Sequence, residues 1–167
     1  MIKDTKSLLL VGAGPMSVEY AKVLKDLNID FVVVGRGVKS AKKFAEVTGF
    51  KVVSGGVEKF LKSNFLNFER AIVAISEEQL GKITLLLLKY GVKSILVEKP
   101  GGLDFDEIRI VGNLALSKKA KVFVGFAQGE TAISNPQYLL SFTPEVNDDG
   151  TFTGLSLAGL TISQSYT

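Results

Sequence analysis

The sequence predicts an α/β fold, a doubly wound parallel sheet with helices on both faces, followed by a short β-prone tail. Three observations support this. Six short apolar runs alternate with stretches whose apolar residues recur at helical spacing. The links between them are short and mostly carry glycine or a capping residue, as parallel strands joined by helices require. All 20 Lys and Arg residues lie at or before Lys121, and the chain beyond is uncharged except for Glu130, Glu145, Asp148 and Asp149. That shift sets an expected boundary, with one domain over residues 1–126 and an unmatched tail over 127–167, either a hairpin or disordered.

The first strand is Ser7–Val11. The helix from Pro15 puts Val18, Ala21, Leu24 and Leu27 on one face, and Pro15 suits a first helical turn because its missing N–H is no loss there. Phe31–Val34 is a second, wholly apolar strand, as expected for a strand covered on both faces. Ser40 reads as the next helix cap. Ala41, Phe44, Ala45 and Thr48 follow at helical spacing, and Gly49 closes the helix. Lys51–Val53 is the third strand. After Gly55-Gly56, Val57, Phe60, Leu61 and Phe65 form an apolar helical face.

Ala71–Ile75 is the fourth strand. Ser76-x-x-Gln79 has capping-box spacing and opens a helix with Leu80, Ile83, Leu87 and Tyr90 inward and Gly91 as its stop. Ile95–Val97 is the fifth strand. Asp104-x-x-Glu107 caps a helix bearing Ile108, Val111 and Ala115, and Val122–Val124 is the sixth strand. In the tail, Asn147-Asp148-Asp149-Gly150 is a turn signal between Leu139–Val146 and Thr151–Leu155, which predicts a hairpin.

Composition narrows the chemistry. A chain of 167 residues with 46% hydrophobic and 22% charged residues is a soluble globular domain with one core. It has no cysteine and no histidine, so disulfides, thiolate metal sites and histidine acid–base chemistry are out of reach. No metal site is expected. The start is too short and too charged for a signal sequence, and the leucine run at 85–88 is far below spanning length. A cytoplasmic protein without membrane contact is the expectation. A net charge of +3 gives no reason to expect a nucleic-acid partner.

The candidate site begins at Gly12-Ala13-Gly14-Pro15-Met16, between the first strand and its helix. Two glycines allow a sharp turn and close approach of a ligand, and a helix N-terminus offers free N–H groups and a positive dipole end to a pyrophosphate. Together they suggest a Rossmann-type dinucleotide site, although Ser17 stands where the fingerprint has its third glycine. After the second strand, where NAD-binding folds carry an acid, Gly35 and Arg36 appear instead. A guanidinium holds a 2′-phosphate that a carboxylate would repel, so Arg36, backed by Lys39 and Ser40, favours NADP, with NAD as the alternative. Glu98-Lys99-Pro100 follows the fifth strand at the sheet's carboxyl edge, where Lys99 could hydrogen-bond a substrate oxygen or move its proton.

These residues resemble the amino-terminal domain of the glucose-fructose oxidoreductase, inositol dehydrogenase and rhizopine-catabolism (Gfo/Idh/MocA) family. The resemblance rests on Gly12-Ala13-Gly14, Ala71-Ile-Val-Ala-Ile-Ser76, Ile95-Leu-Val-Glu-Lys-Pro100 and Val122-Phe-Val-Gly-Phe126, and covers about three quarters of the chain. It implies that Lys99 is the catalytic contact to a substrate hydroxyl and that Pro100 shapes the nicotinamide pocket. The cofactor would be lined by Gly12, Gly14, Pro15, Met16, Gly35, Arg36, Ser76, Glu98 and Pro100. The substrate would be a small molecule of the sugar or polyol class.

Two departures from the family pattern limit the expectation. Ala127-Gln128-Gly129-Glu130 follows Phe126 with no arginine, and no histidine is present for the family's second, mostly β domain. The chain therefore reads as the cofactor half of a two-domain oxidoreductase, incomplete as a catalyst. The alternative is a non-catalytic dinucleotide-binding module that self-associates through its tail. Three accounts of the tail stand open, with most weight on the first: a truncated or shifted reading frame, a short NADP-binding protein, or a chain completed by a partner.

Other nucleotide enzymes fit less well. None of the four tyrosines has a lysine four residues on, as short-chain dehydrogenases need. Val11 and Met16 stand where a methyltransferase turn has its acid and third glycine. No Gly-Lys-Ser/Thr P-loop occurs. A precorrin-dehydrogenase-like domain shares the strand and Gly-x-Gly-Pro, but leaves Glu98-Lys99-Pro100 unexplained.

Overall fold

The structure, a computed structural model, describes residues 8–63, 68–125, 140–146 and 152–160. In chain order the elements are β1 (Leu8–Val11), α1 (Pro15–Asp26), β2 (Phe31–Gly35), α2 (Val38–Thr48), β3 (Val52–Ser54) and α3 (Val57–Ser63). Then come β4 (Arg70–Val73), α4 (Glu77–Lys89), β5 (Ser94–Val97), α5 (Phe105–Ser117), β6 (Lys121–Val124), β7 (Leu140–Val146) and β8 (Phe152–Leu160).

Strands β1 to β6 form one parallel sheet in the order β3-β2-β1-β4-β5-β6. The chain builds outward from β1 to β3, then crosses back to β4 on the other side of β1. The order reverses between β1 and β4, which places the first glycine turn at the switch point.

The period of the strands divides the core. Leu9, Val11, Val34, Ala71, Val73, Ile95 and Val97 face one side, against Phe60 of α3, Leu80, Leu87 and Leu88 of α4, and Val111 and Ala115 of α5. Leu8, Leu10, Val33 and Ile72 face the other, against Ala21 and Leu24 of α1 and Phe44 of α2. Adjacent residues thus feed opposite layers, which explains why the strands read as unbroken apolar runs. Leu9 and Leu10 are both fully buried, and truncating such a leucine to alanine costs about 2–5 kcal/mol.

Several local expectations need correction. Helix α2 is capped by Gly37, not Ser40. Ser40 sits in the first turn and its Oγ donates to Gly37 O at 3.3 Å. Ser76 does occupy the cap of α4, but no side-chain bond forms there; Gln79 donates its backbone N–H to Ser76 O at 3.0 Å instead. The stripe also ends earlier than its period suggests. Leu27 is 62% exposed and Tyr90 44% exposed, because both are C-caps where the helix stops turning toward the sheet. Gly49 closes α2 in the left-handed region, and Asp104 caps α5 by accepting from Glu107 N at 2.8 Å, both as expected. Glu107 in turn accepts from Leu103 N at 2.7 Å.

Strands β7 and β8 pair antiparallel in a separate two-stranded sheet, with Val146 opposite Phe152 and irregular register near Leu140 and Glu145. The turn proposed between them, and Phe65, lie outside the described residues. Among the described residues no helix is long and apolar enough to cross a membrane, and no group of three or more metal-ligating side chains is gathered.

Candidate functional site

A cleft of about 740 Å³ opens at the carboxyl ends of β1, β2, β4 and β5. Its floor is the β1–α1 turn. Gly12 has φ +125°, and a Cβ there would stand 2.0 Å from Ala74 O and 2.7 Å from Ser17 Oγ, so only glycine fits. Ser17 explains how the turn works without a third glycine. Its side chain is fully buried where α1 crosses β1 and β4, and its Oγ donates to Ala74 O at 3.1 Å. The hydroxyl is satisfied rather than stranded, so a serine packs where the fingerprint has glycine.

Gly14 differs from Gly12. It caps α1 in an extended conformation, and a Cβ there would meet no atom within 4 Å. Its missing side chain leaves room in the cleft rather than room for the protein. The next residues, Pro15 and Met16, begin the helix and line the same cleft. The N–H groups of the first helical turn have no intrahelical carbonyl to meet, and Pro15 has none to lose. The turn thus fits a pyrophosphate: open space at Gly14, aimed amides, and the positive end of a twelve-residue helix.

The other predicted residues come in from both sides. Gly35 is buried at the end of β2, and Arg36 is exposed beside it with Gly37 and Ser40. Ser76 lines the wall after β4, and Glu98 and Lys99 line the end beyond it. The β5 loop is built by the backbone. Glu98 N–H donates to Val73 O at 2.9 Å, extending the sheet by one residue, and Gly101 N–H closes a turn onto Glu98 O at 3.0 Å. Lys99 is exposed at the tip of that turn and joined to Pro100 by a cis peptide. Pro100 is outside the cleft lining, unlike the other nine residues expected at the site. Lys39 is also outside it.

Sequence reasoning missed some of the walls. Ala74, Ile75, Glu77, Gln79 and Ile83 line the β4–α4 side, and Gly56 and Val57 the α3 side. For all but Ile83, which sits midway along α4, the signal was available, since each lies close behind the carboxyl end of a strand. It also missed Tyr20. From α1, the Tyr20 hydroxyl donates to Glu98 Oε1 at 2.5 Å. Burial, together with the hydrogen bond and the charge of Glu98, pushes the Tyr20 phenol well above its ordinary pKa, so it keeps its proton.

The arrangement can hold an extended, doubly charged ligand across the switch point, with a cation at one end and a carboxylate and lysine at the other. The fold has known counterparts. The sequence model of the GFO_IDH_MocA oxidoreductase family, NAD-binding Rossmann fold, matches residues 6–126. No curated protein matches the chain. Among solved structures, the WlbA dehydrogenase from Bordetella pertussis, in complex with NADH and UDP-GlcNAcA, superposes with a TM-score of 0.61 at 14% identity over 72% of this chain and 36% of its own. GenD2 from gentamicin A biosynthesis, in complex with NAD, gives 0.61 at 23% identity over 71% and 34%. Biliverdin reductase from Synechocystis, in complex with biliverdin and NADP+, gives 0.61 at 19% identity over 72% and 38%. At these identities the likeness shows the fold, and the chain spans little more than a third of each neighbour. With the family model matched across the whole sheet, the chain belongs to the Gfo/Idh/MocA oxidoreductases through their NAD-binding Rossmann domain.

Proposed function

We propose that this domain binds NADP(H) in preference to NAD(H), and serves an oxidoreductase acting on a hydroxyl or carbonyl carbon of a sugar- or polyol-class substrate. The observation that carries the cofactor preference is the end of β2. Gly35 and Arg36 stand there with no carboxylate, in the same cleft as the glycine turn. A guanidinium beside the adenosine ribose hydrogen-bonds a 2′-phosphate in two places, and Ser40 adds a hydroxyl within the same wall. On this reading the adenosine half would lie toward β2 and the nicotinamide half toward β5, the strands that flank β1 and β4.

When bound, the nicotinamide would supply hydride exchange, which no amino-acid side chain supplies. The chain's residues would do the rest. Gly12 and Gly14 admit the pyrophosphate, the α1 terminus neutralises part of its charge, and Lys99 holds the reacting oxygen of the substrate and shares its proton. Exposure of Lys99 at a turn tip suits a group that faces a second wall of the pocket, and we place that wall outside residues 8–125. On this reading the chain by itself turns over sugar nucleotides and polyols at a negligible rate.

Fluorescence titration with NADPH and NADH tests the proposal. The expected result is tighter NADPH binding that is lost in Arg36→Ala. Absence of binding by either nucleotide would remove the reading, and equal binding with an inert Arg36→Ala would remove the preference. Clear turnover by the purified chain would overturn the reading that it is incomplete as a catalyst.

A further inference from the structure

The Tyr20–Glu98 pair joins two parts of the cleft that the chain keeps 78 residues apart. Tyr20 stands on α1, the helix whose N-terminus opens into the cleft at Gly14. Glu98 is the first residue of the turn that carries Lys99. Gly125, at the exit of β6, closes over the pair: a Cβ there would lie 3.4 Å from the Tyr20 hydroxyl and 3.6 Å from Glu98 Oε1. The two carboxylate oxygens of Glu98 are therefore unequal. Oε1 accepts from Tyr20, whereas Oε2 has no partner among the described residues. No buried side-chain oxygen among those residues lacks a partner, so Oε2 is open to solvent, in a residue that lines the cleft.

We propose that Tyr20 is a positioning residue for the nicotinamide half of the cleft, fixing Glu98 by one oxygen so that the other is presented to an N–H or O–H donor of the cofactor. The proposal rests on the cofactor reading above. A free glutamate samples several rotamers, and burial of a half-covered carboxylate without a donor is costly. A tyrosine hydroxyl removes both problems, because it satisfies one oxygen and selects one rotamer. It also ties the β5 turn to α1, so the lysine turn and the pyrophosphate helix keep a fixed separation. The donors on offer are the carboxamide and the ribose hydroxyls of the nicotinamide half. On the same reading the adenosine half would lie at β2, on the other side of β1, and would make no use of Tyr20.

That asymmetry gives the test. NADPH and adenosine 2′,5′-bisphosphate, which carries the adenosine half alone, are titrated into the full chain and into Tyr20→Phe and Glu98→Asp. Asp withdraws the carboxylate by one methylene and breaks the pair while keeping the charge. Each variant is expected to weaken NADPH by about five- to tenfold, as loss of one charged hydrogen bond predicts, with the bisphosphate unchanged within about twofold. The double variant should be no weaker than either single one, because Tyr20 acts only through Glu98. Equal loss for both ligands, unchanged NADPH binding, or additive losses would each overturn the role of Tyr20 while leaving the cleft reading standing. Failure of the unaltered chain to bind either ligand would remove the cleft reading and this proposal with it. Should Tyr20→Phe not fold, Tyr20→Met takes its place in the same measurements, since it also removes the donor while keeping an apolar side chain over the pair.

Discussion

The two glycine turns of the cleft look alike in sequence and are built on opposite principles. At the β1–α1 turn, Gly12, Ser17 and Ala74 interlock, with every atom of Ser17 buried and no room for a Cβ on Gly12. At the β2–α2 turn, Arg36, Gly37 and Ser40 are all exposed, and the cap of α2 is made by backbone alone. The first is fixed by steric contact, so its residues serve fold and ligand at once. The second is chemical. Its exposed Arg36 and Ser40 can be replaced without changing the fold, whereas Gly35, where a Cβ would lie 3.1 Å from Ala13 Cβ and from Val52 Cγ1, belongs to the packed strand. Gly14 lies between the two cases, since it belongs to the first turn but is hemmed in by nothing.

That contrast can be broken by four substitutions, in falling order of effect. Gly12→Ala combines a forbidden backbone region with an overlap onto Ala74 O, and should cost about 3 kcal/mol or more in chemical denaturation. A cost below about 1 kcal/mol would mean the turn is not steric at all. Gly14→Ala should leave stability within about 1 kcal/mol of the parent, yet lower NADPH affinity about a hundredfold, because its new methyl enters only the cleft. Retained affinity would show that the pyrophosphate takes another path.

Arg36→Ala should reduce NADPH affinity by about thirtyfold and leave both NADH affinity and melting temperature alone. Equal losses for the two nucleotides would make Arg36 a general anion contact. Ser17→Ala should cost about 1 kcal/mol by leaving Ala74 O without its donor, with NADPH affinity nearly unchanged. A large affinity loss with no stability loss would reverse the roles assigned to the two turns.

The sheet was legible because its signals are local and redundant. Each strand is an apolar run followed by a turn residue, and the reversal of strand order follows from handed crossovers. Helix ends were less legible. Ser40 is the residue type that caps helices, but the chain enters α2 three residues earlier with Val38 exposed at the first position. Leu27 and Tyr90 continue the 3.6-residue period in sequence but fall past the point where the helix contacts the sheet.

In the site, the glycines and charges at strand ends were readable because topology alone brings strand carboxyl ends together. Tyr20 was not. Its partner is set by how α1 lies relative to the turn after β5, and a tyrosine midway along a helix carries no mark of a contact so far along the chain. Ser17 was readable only as an exception to the fingerprint. Its reason, a carbonyl of β4's following residue within reach, needed coordinates.

The position of β1 has a consequence for motion. It is the one strand of the six that touches both arms of the chain's crossover, with β2 on one side and β4 on the other. Its leucines feed both layers of the core. Opening β1 therefore means dissolving the sheet, whereas β3 and β6 at the edges can peel away singly. Amide protons of Leu9 and Leu10 should exchange with solvent only on global unfolding, and those of Val53 far sooner. The β1–α1 turn is thus rooted in the strand expected to exchange slowest, while Arg36 hangs from a strand only one removed from the edge.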